Sequence, residues 1–228
     1  GDWLHITGKN MLHIPVTIHF HGVLQKGTPW SDGVAGITQK AINPGESYVY
    51  IFQLINQYGF TWYHAHYRGY LSDGVYGPLY IRPSENIPRP YKYITNDTET
   101  LNTFLQLEKD PLFLVGDDRF KWTMDEVISR METYGIDPLC AESILVNGMG
   151  RVYCHNQSQL NQLLTKMPSH FQLIDSMGCI PVENGFENAV DVYGLEMPGY
   201  SKKCIPTNAQ LYTLNNENEW MYLNILNS

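Results

Sequence analysis

Basic residues are scarce in this 228-residue sequence: 15 Lys and Arg stand against 23 Asp and Glu, a formal net charge of −8, and nowhere do they gather into a block. Without a Lys/Arg-rich stripe there is nothing to track a phosphate backbone, so nucleic acid is excluded as a partner. Charge of either sign is sparse at 17%, yet 43% apolar and 13% aromatic residues supply ample material for a buried core and argue against disorder. No apolar run approaches the roughly 18 residues that a spanning helix needs, so no membrane segment is expected. The N-terminus lacks the basic-then-apolar pattern of a signal peptide. The sequence opens on Gly1, Asp2 and Trp3 and stops in the apolar run Leu223 to Leu226, so both ends read as cut.

Cysteine is also sparse, and its spacing excludes more than its number. Cys140, Cys154, Cys179 and Cys204 are separated by 14, 25 and 25 residues, with no C-x-x-C pair. Zinc-ribbon and thioredoxin-like readings fail on that spacing. An even count of widely spaced cysteines suits structural disulfides in an oxidising compartment, and free buried thiols remain the alternative. The sequons at Asn96 and Asn156 do not decide between them, because an Asn-rich chain of this length carries about two by chance.

The first 82 residues alternate apolar and polar positions in the manner of half-buried strands, punctuated by Pro29 to Gly36, Asn43-Pro44-Gly45 and Ser72-Asp73-Gly74. Strands are predicted at Trp3 to Lys9, Val16 to His21, Ser47 to Leu54, Thr61 to His66 and Gly77 to Arg82, a spacing that suits a sandwich or barrel. A Pro-rich break with Pro83, Pro88 and Pro90 marks a boundary. Residues 1–85 are therefore expected to form a first domain, 86–110 a linker or the start of a second, and 111–228 a partial second domain. There, Leu112 to Val115 and Ile144 to Val146 read as buried strands. A Thr123/Glu126 capping box opens a helix carrying Met124, Val127, Ile128 and Met131, which Gly135 stops. Ser158 to Met167 reads as a second helix with Leu160, Leu163 and Leu164 on one face, and residues 205–228 return to strand-like alternation.

Four of the eight histidines form two H-x-H pairs, His19/His21 and His64/His66, each in or at the end of a predicted strand. Residues i and i+2 of a strand share a face, about 7 Å apart along the backbone, so each pair presents two imidazoles to one side. Val16, Ile18 and Phe20 take the other face of the first strand, while Trp62 shares the histidine face of the second and can wall off solvent. A single pair reads more readily as hydrogen-bonded or surface histidines. Two pairs on adjacent strands would desolvate four imidazoles together, which calls for a metal. A ligand set of four neutral imidazoles suits copper, zinc or iron rather than calcium or magnesium. His5, His13, His155 and His170 have no partner at ligand spacing and stay outside the site.

These residues resemble a known family. His19-Phe20-His21-Gly22, Gln25, Gly27 to Gly33, Thr38-Gln39 and Ala41 to Glu46 are similar to the first copper motif of the multicopper oxidases. Trp62-Tyr63-His64-Ala65-His66 with Asp73-Gly74, Gly77-Pro78 and Ile81 is similar to the second. The nearest likeness is to the ascorbate oxidase and fungal laccase-like branch, and Ser143 to Gly148 with Gly150-Arg151 resembles the opening of that branch's second domain. The resemblance implies a mainly β chain: a cupredoxin-like Greek-key β-sandwich lacking its first strands, then an incomplete second cupredoxin domain with short helices. It implies that His19 ligates a type 2 copper, and that His21, His64 and His66 ligate a type 3 pair, in the trinuclear cluster that reduces dioxygen to water. Electrons would come singly from a phenol, an ascorbate-like reductant or a metal ion by way of a type 1 copper. Asp32 matches an acidic residue that feeds protons to the cluster, although a turn Asp before Gly33 reads equally well. A secreted or cell-wall location is implied by the same likeness.

The departures from the family pattern are as informative. The third and fourth motifs, which carry the other cluster histidines and the type 1 ligands, are absent from this sequence, and Tyr153-Cys154-His155 lacks the leading His of a type 1 site. Lys40 stands where many members carry a cysteine that ties the first domain to a third. Because related oxidases close a loop in the second domain, Cys154 is expected to bond Cys179, with Cys204 seeking a partner upstream of Gly1 and Cys140 unassigned. The chain is thus expected to be a copper-binding N-terminal portion of a laccase-like oxidase, inactive alone. The alternatives are a zinc hydrolase or lyase, since two histidines and a third can hold an open zinc site, and a non-catalytic copper-binding remnant.

Overall fold

A computed structural model describes residues 1–119, 122–134, 141, 143–165, 176, 204–214 and 219–227. They fall into two compact units, Gly1–Gly116 with Thr213–Ser228, and Asp117–Tyr212.

In the first unit, β1 (Trp3–Lys9) pairs antiparallel with β3 (Ser47–Gln53), in a register that runs from Trp3 opposite Gln53 to Lys9 opposite Ser47. A second sheet has the order β2 (Ile18–Phe20), β4 (Gly59–Ala65), β5 (Tyr76–Ile81), also antiparallel. All five strands lie where alternation predicts them. β2 is shorter than expected because Val16 leaves the ladder to bridge Ile42, and Gly22, at φ +75°, turns the chain just beyond His21.

The inward positions of the two sheets make one core. Phe20 from β2 and Tyr50 and Phe52 from β3 are buried together with Val23 and Ile42, and Leu4, Ile6 and Leu79 pack around them. Phe20 lies 4.9 Å from Phe52 and 5.3 Å from Tyr50 between ring centroids, the face-to-face interdigitation of a β-sandwich. The Tyr50 hydroxyl takes a 2.9 Å hydrogen bond from the Ile18 amide, so the two sheets are joined by a polar contact as well as by burial.

The Pro-rich segment is not a bare linker. It leads into a 3-10 turn, Pro90–Tyr93, and then α1 (Thr98–Leu107), a helix that the polar run of Thr and Asn concealed. Asp97 caps α1 by accepting from the Thr100 amide at 2.8 Å, which holds its carboxyl below the usual range. Arg89 organises the segment. Its Nε meets both oxygens of buried Glu108 at 3.0 Å, and its terminal nitrogens donate to the carbonyls of Pro83, Ser84 and Ile87. Beyond α1, β6 (Leu112–Arg119) pairs in parallel with β8 (Leu223–Asn227), from Leu112 opposite Leu223 to Gly116 opposite Asn227. Phe113 of β6 packs on Phe60 and Tyr80, at 5.2 and 5.8 Å. The strand-like alternation over residues 205–228 becomes regular strand only at β8 among the described residues.

In the second unit, α2 (Met124–Tyr134) opens on the expected capping box. The Thr123 amide donates to Glu126 at 2.9 Å and the Glu126 amide to Thr123 Oγ1 at 3.4 Å. β7 (Ser143–Val146) and α3 (Gln157–Leu164) follow; Gly135 and Met167 lie outside the described residues. The disulfide differs from expectation. Cys154 bonds Cys204, with Cα atoms 5.7 Å apart, rather than Cys179, and Cys204 needs no partner upstream of Gly1. The reason is local: the Thr207 amide donates to the Val152 carbonyl and the Val152 amide to Thr207 Oγ1, laying the two segments side by side. Cys140 and Cys179 lie outside the described residues.

Two outcomes follow. Arg89→Ala leaves the Glu108 carboxylate buried without its partner and should lower unfolding free energy by about 3–5 kcal/mol in urea denaturation. Peptide mapping without reductant should recover Cys154 and Cys204 in one linked pair, and a Cys154–Cys179 peptide in its place would contradict the structure.

Candidate metal centre

The ladder between β2 and β4 sets His19 directly opposite His64. The His21 amide donates to the Trp62 carbonyl and the His66 amide to the Thr17 carbonyl, each at 2.9 Å, which carries the same register past both strand ends. Alternation then places Thr17, His19, His21, Trp62, His64 and His66 on one face, and Ile18, Phe20, Tyr63 and Ala65 on the other. Phe20 and Ala65 of the second face are buried in the core and Ile18 packs against it, so the first face is left for the histidines.

All four sequence-named histidines come together. Ring centroids lie 5.3 Å apart for His19 and His64, 5.3 Å for His19 and His66, 5.6 Å for His21 and His64, and 6.0 Å for His64 and His66. One nitrogen each of His19, His21 and His64 falls within 4.8 Å of the others. Trp62 stacks on His64 at 4.3 Å and on His21 at 5.3 Å, closing one side as its place in the alternation suggested. His5 sits on the outer, exposed positions of β1, His13 is exposed in a loop, and His155 lies in the second unit beside Tyr153. His170 is outside the described residues.

Hydrogen bonds set the protons on the rings. Nδ1 of His64 lies 2.9 Å from the Ala65 carbonyl and Nδ1 of His19 lies 2.7 Å from the Asp32 carbonyl. A carbonyl only accepts, so each Nδ1 carries the hydrogen and each Nε2 keeps its lone pair. Burial holds the His64 pKa below its usual value. The hydrogen bond to Ala65 opposes this, and the neighbouring His19, His21 and His66 add to the lowering. His64 is therefore a neutral donor near neutral pH. His21 Nδ1 and His64 Nε2 face each other at 3.4 Å, a pair that repels unless a proton or a metal ion lies between them.

Asp32, the other sequence-named residue, is brought to His19 twice, by its carbonyl and by a carboxylate oxygen 3.3 Å from the same Nδ1. It ends a short 3-10 turn, Pro29–Ser31. Gly33 follows at φ +86°, and a Cβ there would stand 2.0 Å from the Ile18 carbonyl oxygen. Only glycine lets this loop press against β2 closely enough for Asp32 to reach the ring. Sequence reasoning named Gly33 as a turn residue and missed this second duty. The turn's other anchor, buried Ser31, stood in the sequence only as one residue of the Gly27 to Gly33 stretch, with no role of its own.

Residues 1–86 match the family described as multicopper oxidase. Laccase abr2 of Aspergillus fumigatus is 35% identical over 96% of this chain and 38% of its own length. The multicopper oxidase MCE of Talaromyces pinophilus is 36% identical over 99% of this chain and 38% of its own. Residues 1–86 belong to the multicopper oxidase family. Among solved structures, Fet3p, described as a multicopper oxidase that functions in iron import, is 28% identical with a TM-score of 0.51, covering 65% of this chain and 25% of that one. As expected, the chain is mainly β with a few short helices, and cupredoxin-like structures of this family match part of it. It spans 38% of the length of the two curated relatives named here.

The family implies copper, and the residues present fit it. Imidazole nitrogens suit copper, the two most enclosed rings are held with Nε2 free, and carbonyls fix both from behind, as ligating histidines require. Among the described residues no helix is long and apolar enough to cross a membrane.

Gly33→Ala must move the loop off Ile18 and force a side chain into left-handed backbone. We expect a loss of at least about 2 kcal/mol in unfolding free energy, and loss of protection for the His19 ring proton in hydrogen-exchange NMR.

Proposed function

We propose that His19, His21, His64 and His66 hold copper for a laccase-like oxidase, and that this chain contributes four imidazoles to a trinuclear cluster. The observation that carries the reading is the His19–His64 register, which turns two separate H-x-H pairs into one group of rings. In the finer assignment, His19 serves a type 2 copper and His21, His64 and His66 a type 3 pair. Copper held by these residues would supply one-electron chemistry for the reduction of dioxygen to water. The reductant class is a phenol, an ascorbate-like molecule or a metal ion, and the described role of Fet3p in iron import keeps the last in view.

Each residue around the rings has a defined task in this reading. His64, neutral through burial, offers a lone pair without first losing a proton. Trp62 excludes water from the flank of His21 and His64. The Asp32 carboxylate, beside His19 and partly open to solvent, can hold a proton and hand it inward. The division into a first domain at 1–85, a connection at 86–110 and a partial second domain at 111–228 belongs to the same proposal, as does secretion to the medium or cell wall.

The sequence in hand carries neither the type 1 ligands nor the second set of cluster histidines. Turnover therefore belongs to a product that supplies them, and this chain alone should neither show intense blue thiolate–copper absorption nor oxidise phenols. The test supplies copper and zinc at equal concentration, removes the excess by gel filtration, and counts bound metal. Retained copper that falls at least 10-fold in affinity in His64→Ala supports the reading. Zinc held in preference to copper would favour a hydrolytic zinc site instead. Measurable phenol oxidation by the purified chain would overturn the ligand count.

A further inference from the structure

We propose that Ser31 is a positioning residue that, through the Pro29–Asp32 turn, sets the proton of His19 before any metal arrives. The inference rests on the reading of His19 as a copper ligand and adds how that ligand is prepared. Ser31 is fully buried at 0% exposure. Its hydroxyl donates to the Ile51 carbonyl at 2.9 Å and accepts from the Ile51 amide at 3.0 Å. One side chain thus satisfies both backbone groups of a residue of β3, in the place a further strand would occupy. A second attachment comes from the same strand, where the Tyr48 hydroxyl donates to the Trp30 carbonyl at 2.8 Å. The Asp32 amide closes the turn on Pro29 at 3.1 Å.

The turn is therefore held to β3 at one end and, by the close approach of Gly33 to Ile18, against β2 at the other. Between these two anchors the Asp32 carbonyl lies 2.7 Å from His19 Nδ1. Being an acceptor only, it admits the Nδ1–H tautomer and leaves Nε2 with a lone pair. The carboxylate oxygen, at 3.3 Å from the same nitrogen, is not needed for this. The two oxygens of Asp32 nearest the ring have separate duties: the backbone oxygen orients and the side chain is free to exchange protons. Nothing in the residue types announces this, since Ser31 touches no histidine and belongs by its contacts to the opposite sheet.

Long-range proton–nitrogen NMR of the imidazoles in the metal-free chain reads the tautomer directly, and copper titration against a competing chelator reads affinity. The wild-type chain should show His19 as the Nδ1–H form. Ser31→Ala should populate the Nε2–H form and weaken copper binding about 10-fold or more. Asp32→Asn, which keeps the carbonyl, should leave the tautomer as in wild type. If Ser31→Ala fails to fold, Tyr48→Phe removes only the second attachment and should give the same change in smaller degree. An unaltered tautomer in every folded Ser31 or Tyr48 variant overturns the proposal, and so does a tautomer change in Asp32→Asn. A wild-type chain with the Nδ1–H form and no affinity for copper would instead overturn the copper reading and leave the positioning role standing.

Discussion

The antiparallel register of β2 against β4 is the constraint on which the site depends. With His19 opposite His64, every second residue on both strands faces the same way, and the two H-x-H pairs become one cluster. A slip of one residue would turn either pair into the sandwich core and Phe20 or Ala65 out of it. The register is guarded from behind: Phe20 is wedged in that core against Tyr50 and Phe52, and the exposed ring of Tyr63 lies across Gly77, where a Cβ would stand 2.4 Å from its hydroxyl. Burial on one face thus decides the position of polar rings on the other.

Much of this was legible in residue order. Alternation with period two located all five strands of the first unit and separated His19 and His21 from Ile18 and Phe20. What alternation cannot convey is which strands pair, and β8 joins β6 in parallel from more than a hundred residues away. Helix α1 was missed because Thr, Asn and Gln dilute the apolar stripe of Leu101, Phe104 and Leu105, leaving only the Asp97 cap as a signal. The disulfide was misassigned for a similar reason: its geometry comes from two hydrogen bonds between Val152 and Thr207, and a loop with no periodic pattern does not disclose its neighbours.

The site also shows how unequal its four rings are. His64 is enclosed, stacked on Trp62 and held neutral, whereas His21 and His66 are exposed. His19 is intermediate and the only one steered from outside the ladder, by a loop that reaches from one sheet to the other. The cluster is thus enclosed at its centre and open at its edge, with His19 and His64 oriented by backbone carbonyls and His21 and His66 exposed.

The return of β8 to β6 has a consequence for how the molecule is made. The first unit is discontinuous, closed by residues that lie beyond the whole of the second. During synthesis the sandwich core and the histidine ladder can form as soon as β5 has emerged, since all their contacts are in hand by then. The edge of β6 that pairs with β8 must wait until residue Leu223 has left the ribosome, about 10 s later at typical translation rates. Over that interval one edge of a strand rich in Leu, Phe and Val is open to any other chain with a free edge. Newly made copies are therefore most vulnerable to mispairing late in translation, after the histidine ladder has taken shape.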